Sequence, residues 1–422
     1  MNATDRGSVR NLRASKAEES LQTRVFATEE TLAPKAFGAA DSVLAAVVVG
    51  LIAFGVVMVY SASAVWANRQ FDNGQYYLVR QSVYAALGLV VIVAVARIDY
   101  RYYRALTYPV LAGSTALLAV VALGLGRSAG GATRWIQLGP INIQPAEIAK
   151  LALILWLAYS LGKKKEKMRS FTVGFLPHLL MSGLLMLLCL KQPDFGSAVM
   201  IGLLTFVLLF AAGARLGYIL SAILIAAPIA WLLVRSSPYR MRRIQAFLEP
   251  FEHRYDVGYQ IAESLMSFGS GGALGVGIGD SRQKLFFLPE AHTDFISAIV
   301  GEELGFAGIL TLIMAFSLVV IRGLRTALSA ADEYGCYLAT GITVFIGLQA
   351  FTNLAVAMGM LPTKGLVLPF ISYGGSSLLV NCAAIGILLN VSRLRKPLGD
   401  SRSKHKVDLT TEETAKLAGG LA

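Results

Sequence analysis

Hydropathy along this chain comes in long blocks, not in alternation. Apolar windows of about 20 residues, long enough to cross a hydrocarbon core as helices, recur from residue 42 almost to the end. They lie near 42–62, 78–96, 105–126, 145–162, 171–190, 195–213, 215–235, 294–321, 335–360 and 367–392. Only Gly213, Ala214, Arg215 and Leu216 separate the sixth from the seventh, which reads as a tight hairpin. In lipid every backbone polar group must be satisfied within its own segment, so such blocks fold as helices. The pattern predicts an all-α polytopic membrane protein with about ten transmembrane helices and a large loop, 236–293, between helices 7 and 8.

That loop has a pattern of its own. Met241, Ile244, Phe247 and Leu248 recur at helical spacing among Arg240, Arg242, Arg243 and Gln245, which suits a short basic helix on a membrane surface, ended by Pro250. A second helical stretch runs from Tyr259 to Phe268. The glycines that follow, Gly269 to Gly279, have the wrong spacing for a dinucleotide fingerprint and suit a tight re-entrant path. Outside the membrane domain, 42–393, the polar segments 1–41 and 394–422 read as tails, the first a disordered one without the apolar core of a signal peptide.

Charge fixes the expected orientation. Connections after even-numbered spans hold Arg97, Arg101, Arg104, Lys163, Lys164, Lys165, Lys167, Arg169, Arg215, Arg322 and Arg325, and the tails add Arg10, Arg13, Arg24, Arg393, Arg395 and Lys396. Short connections on the other face hold few cations: Arg69, Arg127, Arg134, Lys191 and Lys364. The positive-inside bias therefore predicts both termini cytoplasmic and the 236–293 loop extracytoplasmic. The net charge of +12, on a chain 55% hydrophobic and only 15% charged, follows from this topology and not from nucleic-acid binding. Cys189, Cys336 and Cys382 lie in or beside apolar segments without ligand spacing and read as small core residues.

Candidate chemistry concentrates in Leu288–Phe295, which places Glu290, His292 and Asp294 at the lip of the eighth span. Ionisable groups there are functional suspects because their desolvation costs free energy. Asp294 has two readings: with Thr293 it caps the first turn of the helix, or it is a desolvated carboxylate acting as general base. Glu290 and His292 suit orientation of substrate or of Asp294. Arg282 and Lys284 just upstream read either as solvated loop charges or as cations for a phosphorylated lipid head group. Glu302 and Glu303, deeper in the span, call for a cation or a cavity. Glu147 and Lys150 share a helical face at i and i+3 and read as a structural ion pair, as do Lys191 and Asp194 around Pro193. The stretch Pro362–Ser377 carries prolines and glycines at a membrane edge, so its backbone must lie in protein or around a cavity. Ser372, Tyr373, Ser376 and Ser377 are placed to line that cavity, and Lys364 to meet a phosphate.

Taken in order, MVYSAS at Met58–Ser63, GATRWIQLGPINIQPAEIAK at Gly131–Lys150, QPDFG at Gln192–Gly196, SRQKLFFLPEAHTDFISAIVGEELG at Ser281–Gly305 and PTKGLVLPFISYGGSS at Pro362–Ser377 resemble the SEDS family. Lys364 within PTKG and the full LPEAHTDF string resemble its cell-division (FtsW) branch more than the elongation-associated RodA branch. Ala146 departs from the family, where a serine is usual. The resemblance covers about 45–395 and implies the SEDS fold and a peptidoglycan glycosyltransferase. Such a protein polymerises lipid II, an undecaprenyl-pyrophosphate-linked disaccharide peptide, at the outer face of the bacterial cytoplasmic (inner) membrane and releases undecaprenyl pyrophosphate. It further implies Asp294 as the essential aspartate, a class B penicillin-binding transpeptidase and other divisome membrane proteins as partners, and the division septum as location.

An inverting sugar transfer needs a base for the acceptor hydroxyl and cations for the departing pyrophosphate. Asp294 supplies the first in this reading, and Arg282, Lys284, Arg134, Lys364, Arg242 and Arg243 are candidates for the second. No cofactor is demanded by any motif, although a divalent cation, Mg or Mn, on the pyrophosphate is compatible. The rival classes are a lipid II flippase, with coupling charges near the bilayer midplane, and a non-catalytic divisome scaffold. The rim position of the acidic cluster and the lack of an internal repeat favour the enzyme. Glu147, Lys150 and Glu303 are the deeper charges a transporter would use.

Overall fold

The computed structural model describes residues 38–394 except 130, 131 and 140; the two expected tails lie almost wholly outside the described residues, with Arg10, Arg13, Arg24, Arg395 and Lys396. The first half comprises α1 (Ser42–Phe71), α2 (Tyr76–Arg97), α3 (Tyr103–Ala122), three short strands, and α4 (Pro145–Lys163), α5 (Leu176–Lys191) and α6 (Phe195–Ala211). Next come α7 (Leu216–Arg235), α8 (Pro238–Leu248), α9 (Tyr259–Gly271), α10 (Ile296–Glu303), α11 (Gly305–Leu328), α12 (Glu333–Ala357) and α13 (Gly375–Arg393). Nine helical spans among the described residues, α5 being extended back to Phe171 by a π-helical turn, are long and apolar enough to cross a membrane, and the 17-residue α6 is a shorter apolar helix; each of the ten apolar blocks thus carries a helix, the last only from Gly375 on.

Burial sorts them into layers. The apolar windows of α4, α12 and α13 are 78%, 67% and 72% buried, whereas that of α7 is only 11% buried. The first three form the centre of the bundle. Helix α7 leans on α6 and α8 and turns Leu220, Leu224, Ile225 and Leu232 outward, as a lipid-facing helix does.

The alternation of sides read from the charges recurs as two polar ends. At one, Asp41 caps α1 by accepting from Leu44 N at 3.0 Å and pairs with Arg322 at 2.7 Å. Arg104 meets Asp332 there at 2.7 Å, and Tyr100 N donates to Asn390 at 2.8 Å. The other end gathers the 127–143 segment, the α5–α6 turn, the 236–295 segment and 358–374. Deep in the bundle, Lys150 Nζ lies 2.7 Å from Glu147 Oε1, and Gln349 donates to the other oxygen at 3.1 Å. Both members are buried, so the i, i+3 pair is structural, as the spacing predicted.

Two elements differ from the expectation. The purely helical reading missed an antiparallel sheet in the order β1 (Arg127–Ala129), β2 (Ala132–Leu138), β3 (Ile141–Ile143). Its strands are too short for a clear two-residue period, and it stands at the polar end where strand hydrogen bonding is affordable. The single span expected at 294–321 is instead two helices, broken at Leu304–Gly305. The glycine segment supplies the missing partners at the break. Val276 N donates to Glu302 O and Gly277 N to Glu303 O, while Phe306 N and Ala307 N donate to Gly272 O and Ala273 O, at 2.9–3.1 Å. Gly275, at φ +83°, lies directly against the Glu303 carbonyl, where a side chain would collide. The re-entrant path expected of these glycines is therefore the filling of a helix break.

Candidate active site

Asp294 is held from two sides. Its own segment begins with Glu290 at φ +56°, whose carbonyl accepts from the backbone N–H groups of Thr293, Asp294 and Phe295 at 3.1–3.3 Å. Thr293 Oγ1 donates to Glu290 Oε2 at 2.8 Å, tightening the turn. From the other side Asn353, on α12, donates through Nδ2 to the carbonyl of Asp294 at 2.8 Å and to that of Leu366 at 2.6 Å. Ser297 Oγ fixes the same amide at 3.1 Å. One buried side chain thus staples the acidic segment to the Pro362–Ser377 segment. That amide was not foreseen; a polar residue in the middle of an apolar span was the available signal.

The capping reading of Asp294 fails. The N-cap of α10 is Phe295 and has no side-chain hydrogen bond. The carboxylate instead stands over Gly365, where a Cβ would lie 2.8 Å from its Oδ2. Burial pushes its pKa up to about 7, and neighbouring Glu290 adds to the shift, while Arg134 and Arg243 oppose it. A carboxyl balanced near neutrality has a large ionised fraction and much more basicity than an ordinary aspartate.

Three of the expected cations converge here. Arg134 donates through Nε to Gln192 O at 3.5 Å and through Nη2 to Pro193 O. Arg243 Nη1 donates to Thr363 O at 3.1 Å. The Lys364 side chain lies against Gly196, and only the lack of a Cβ there admits it. Burial lowers its ammonium to about 8, with Asp194 acting in the opposite sense. Asp194 itself caps α6, accepting from Ser197 N at 3.0 Å and Ser197 Oγ at 2.7 Å. The pair expected between Asp194 and Lys191 does not form: Lys191 is exposed, and the cation acting with Asp194 is Lys364.

Other expected site residues are engaged elsewhere. Lys284 Nζ lies 3.3 Å from buried Glu303, whose two oxygens also accept from Ser61 Oγ at 2.6 and 2.8 Å. Its charge neutralises that acid rather than a phosphate. Arg282 is exposed and contributes its backbone N–H to Glu302 at 3.0 Å. Arg242 is exposed, on a different face of α8 from Arg243. Ser376 accepts from Gln144 N at 3.3 Å, and Ser377 from Asn381 Nδ2 at 3.3 Å, which ties the start of α13 to the start of α4 and to its own next turn. His292 sits among rings, with centroids 4.5 Å from Tyr77 and 5.9 Å from both Trp66 and Tyr373. Burial lowers its pKa, which leaves it neutral, and Tyr373 N donates to its carbonyl at 2.9 Å. His292 therefore braces the wall that carries Asp294. Of these aromatic partners only Tyr373 was singled out from the sequence, since Trp66 and Tyr77 come from the distant helices α1 and α2.

The comparisons agree with this geometry. The profile of the FtsW, RodA and SpoVE cell cycle proteins matches residues 41–397. A protein of Geobacter metallireducens named "Probable peptidoglycan glycosyltransferase FtsW" is 49% identical over 357 residues, covering 84% of this chain and 95% of that one. A solved peptidoglycan synthase complex, described as coordinating polymerization and crosslinking, contains a chain that superposes with TM-score 0.71 at 30% identity. That match covers 84% of this chain and 98% of its counterpart. The rod shape determining protein RodA of Thermus thermophilus superposes with TM-score 0.64 at 30% identity, over 85% and 98% of the two chains. A bundle of apolar helices with one poised carboxylate among cations, matched along nearly its whole membrane domain, places this chain in the FtsW/RodA/SpoVE family of SEDS proteins.

Proposed function

We propose that the protein is a peptidoglycan glycosyltransferase that polymerises lipid II, with Asp294 as its general base. The observation that carries this reading is the Asp294 carboxylate, standing over Gly365 and raised to about 7 by burial against the opposing charges of Arg134 and Arg243. Asp294 takes the proton of the acceptor hydroxyl as that oxygen bonds to the anomeric carbon of the donor. The bond from that carbon to the phosphate oxygen breaks, and its electron pair leaves with undecaprenyl pyrophosphate. Arg134, Arg243 and Lys364 stabilise the departing charge. Attack and departure occur on opposite faces of the carbon, so its configuration inverts. A divalent cation bound to the pyrophosphate is compatible with this chemistry, and it would add to the charge stabilisation that the three cations supply.

The charge bias of the connections supports an outward-facing site and cytoplasmic termini. The division-protein names of relatives near 50% identity support action in septal wall synthesis. The polymerizing and crosslinking complex that the chain resembles supports a class B penicillin-binding transpeptidase as partner. The deeper charges give little to a transport reading, because Glu147 pairs with Lys150 and Glu303 with Lys284.

The test is polymerisation of purified lipid II by wild type and by Asp294→Asn, each with and without a cognate transpeptidase whose active serine is blocked. Polymer from the wild type alone is expected. No polymer from the folded wild type with its partner present refutes the enzyme reading.

A further inference from the structure

Behind Arg243, against Pro289 and Thr363 of the two segments that carry Asp294 and Gly365, opens a cavity of about 280 Å³. Its walls include Arg243, Asp256, Tyr259, Gln260, Pro289 and Thr363. Arg243 joins it to the site, since this guanidinium both holds Thr363 O and acts on the Asp294 carboxylate. The far wall is anchored. Ser264 Oγ ties α9 to Ala357 O at 2.7 Å, Arg254 pairs with buried Glu263 at 3.2 Å, and Tyr259 N donates to Asp256 O at 3.2 Å. No hydrogen bond or ion pair among the described residues engages the side-chain polar atoms of Asp256, Tyr259 or Gln260. Asp256, which is exposed, and the half-buried Tyr259 and Gln260 thus line a concave space with polar groups that no protein group occupies, and a ligand in that space can engage all three.

The lining selects the ligand class. One guanidinium and one carboxylate cancel, so a pyrophosphate would meet Asp256 as a repulsive neighbour. An alkyl chain would bury the carboxylate, amide and phenol unpaired. A sugar ring presents hydroxyl donors and acceptors at its edge and a C–H face suited to the Tyr259 ring. The volume falls just below the usual range of ligand sites, about 300–1,000 Å³, and admits a single ring but not a disaccharide with its peptide. The donor ring is bonded to the pyrophosphate and belongs with the cations at Arg134 and Lys364, with Arg243 serving both that charge and the cavity wall. The near-neutral cavity beside the base is left for the acceptor.

We infer that this cavity is a saccharide subsite that holds one pyranose ring of the acceptor glycan and presents its hydroxyl to Asp294. The assignment to the acceptor rests on the glycosyltransferase reading; the assignment to a neutral sugar rests on the cavity alone.

The test pairs a binding measurement with kinetics on the full chain in nanodiscs. Saturation-transfer NMR with soluble N,N′-diacetylchitobiose reports sugar contact without lipid or reaction. Asp256→Asn, Gln260→Ala and Tyr259→Phe, the last preserving the ring, should each weaken binding about two- to fivefold, the effect of one lost hydrogen bond. In polymerisation with the transpeptidase present, the same variants should raise KM for lipid II by a similar factor and lower kcat less. Unchanged sugar transfer in all three variants, or a fall in kcat at constant KM, overturns the subsite. Normal polymerisation by Asp294→Asn would instead remove the base and leave the sugar-contact result standing, so the two failures are distinguishable.

Discussion

Gly365→Ala is the most direct perturbation of the site geometry. The added methyl would stand 2.8 Å from Asp294 Oδ2, and ordinary van der Waals contact begins at 3.4 Å, so the carboxylate or the Gly365 strand must yield by about 0.6 Å. The strand is poorly placed to yield, because Asn353 holds both Asp294 O and Leu366 O. The carboxylate therefore swings. A misplacement of about 1 Å at a reacting group costs on the order of a hundredfold in rate, so roughly a tenfold loss of kcat is expected here. Folding should be little affected, since Gly365 is exposed and its φ is not in the left-handed region. Gly374→Ala is the matched control: it lies in the same segment, and its nearest neighbour would be Val367 Cγ1 at an ordinary 3.4 Å. The assay is initial rate of lipid II polymerisation at saturating substrate, beside the melting temperature of each purified variant. A Gly365→Ala enzyme within twofold of wild type, at equal melting temperature, would refute the placement of the Asp294 carboxylate over Gly365.

Four further outcomes are expected. The pKa of Asp294 is raised from 3.8 to about 7, so its base form is lost as pH falls through 7; kcat/KM should rise tenfold per pH unit below that value and level off above it, and a flat profile from pH 5.5 to 8 would exclude Asp294 as the titrating base. The same raised pKa means that ionisation opposes folding as pH climbs above 3.8, so Asp294→Asn should melt at a higher temperature than wild type at pH 8; lower melting would mean the carboxylate is structural. Glu147→Ala leaves Lys150 buried without its partner and should cost about 3–5 kcal/mol, read as a large fall in melting temperature in detergent that Glu147→Ala with Lys150→Met largely restores. A cysteine at Tyr255, which is 95% exposed on the segment beside the cavity, should be labelled by an impermeant maleimide in intact cells; labelling only after permeabilisation would invert the topology.

Much of the architecture was legible because one rule dominates in lipid. A backbone that must satisfy itself forms helices, so block hydropathy placed the start of α1 near Asp41, while helical spacing placed the short helices α8 and α9 in the large loop. Local spacing was enough for the Glu147–Lys150 pair, since i and i+3 share a face whatever surrounds the helix. Ionisable groups at a membrane edge singled out Asp294, and prolines and glycines at such an edge the Pro362–Ser377 segment, with the family resemblance agreeing. Spacing could not say that these two meet, or that Asn353 joins them, because the contact spans 59 residues in one direction and 13 in the other. Nor could charge alone sort the cations. Lys284 and Arg282 lie close to Asp294 in the chain, yet Lys284 is drawn to Glu303 across the helix break, whereas Arg134, from a distant strand, acts on the carboxylate. The chain by itself determined which residues are buried in lipid and which carry charge at its edges, since both follow from solvation of short segments. Only the tertiary structure decided which charge answers which, since a buried carboxylate takes its pKa and its task from whatever the packed helices bring beside it.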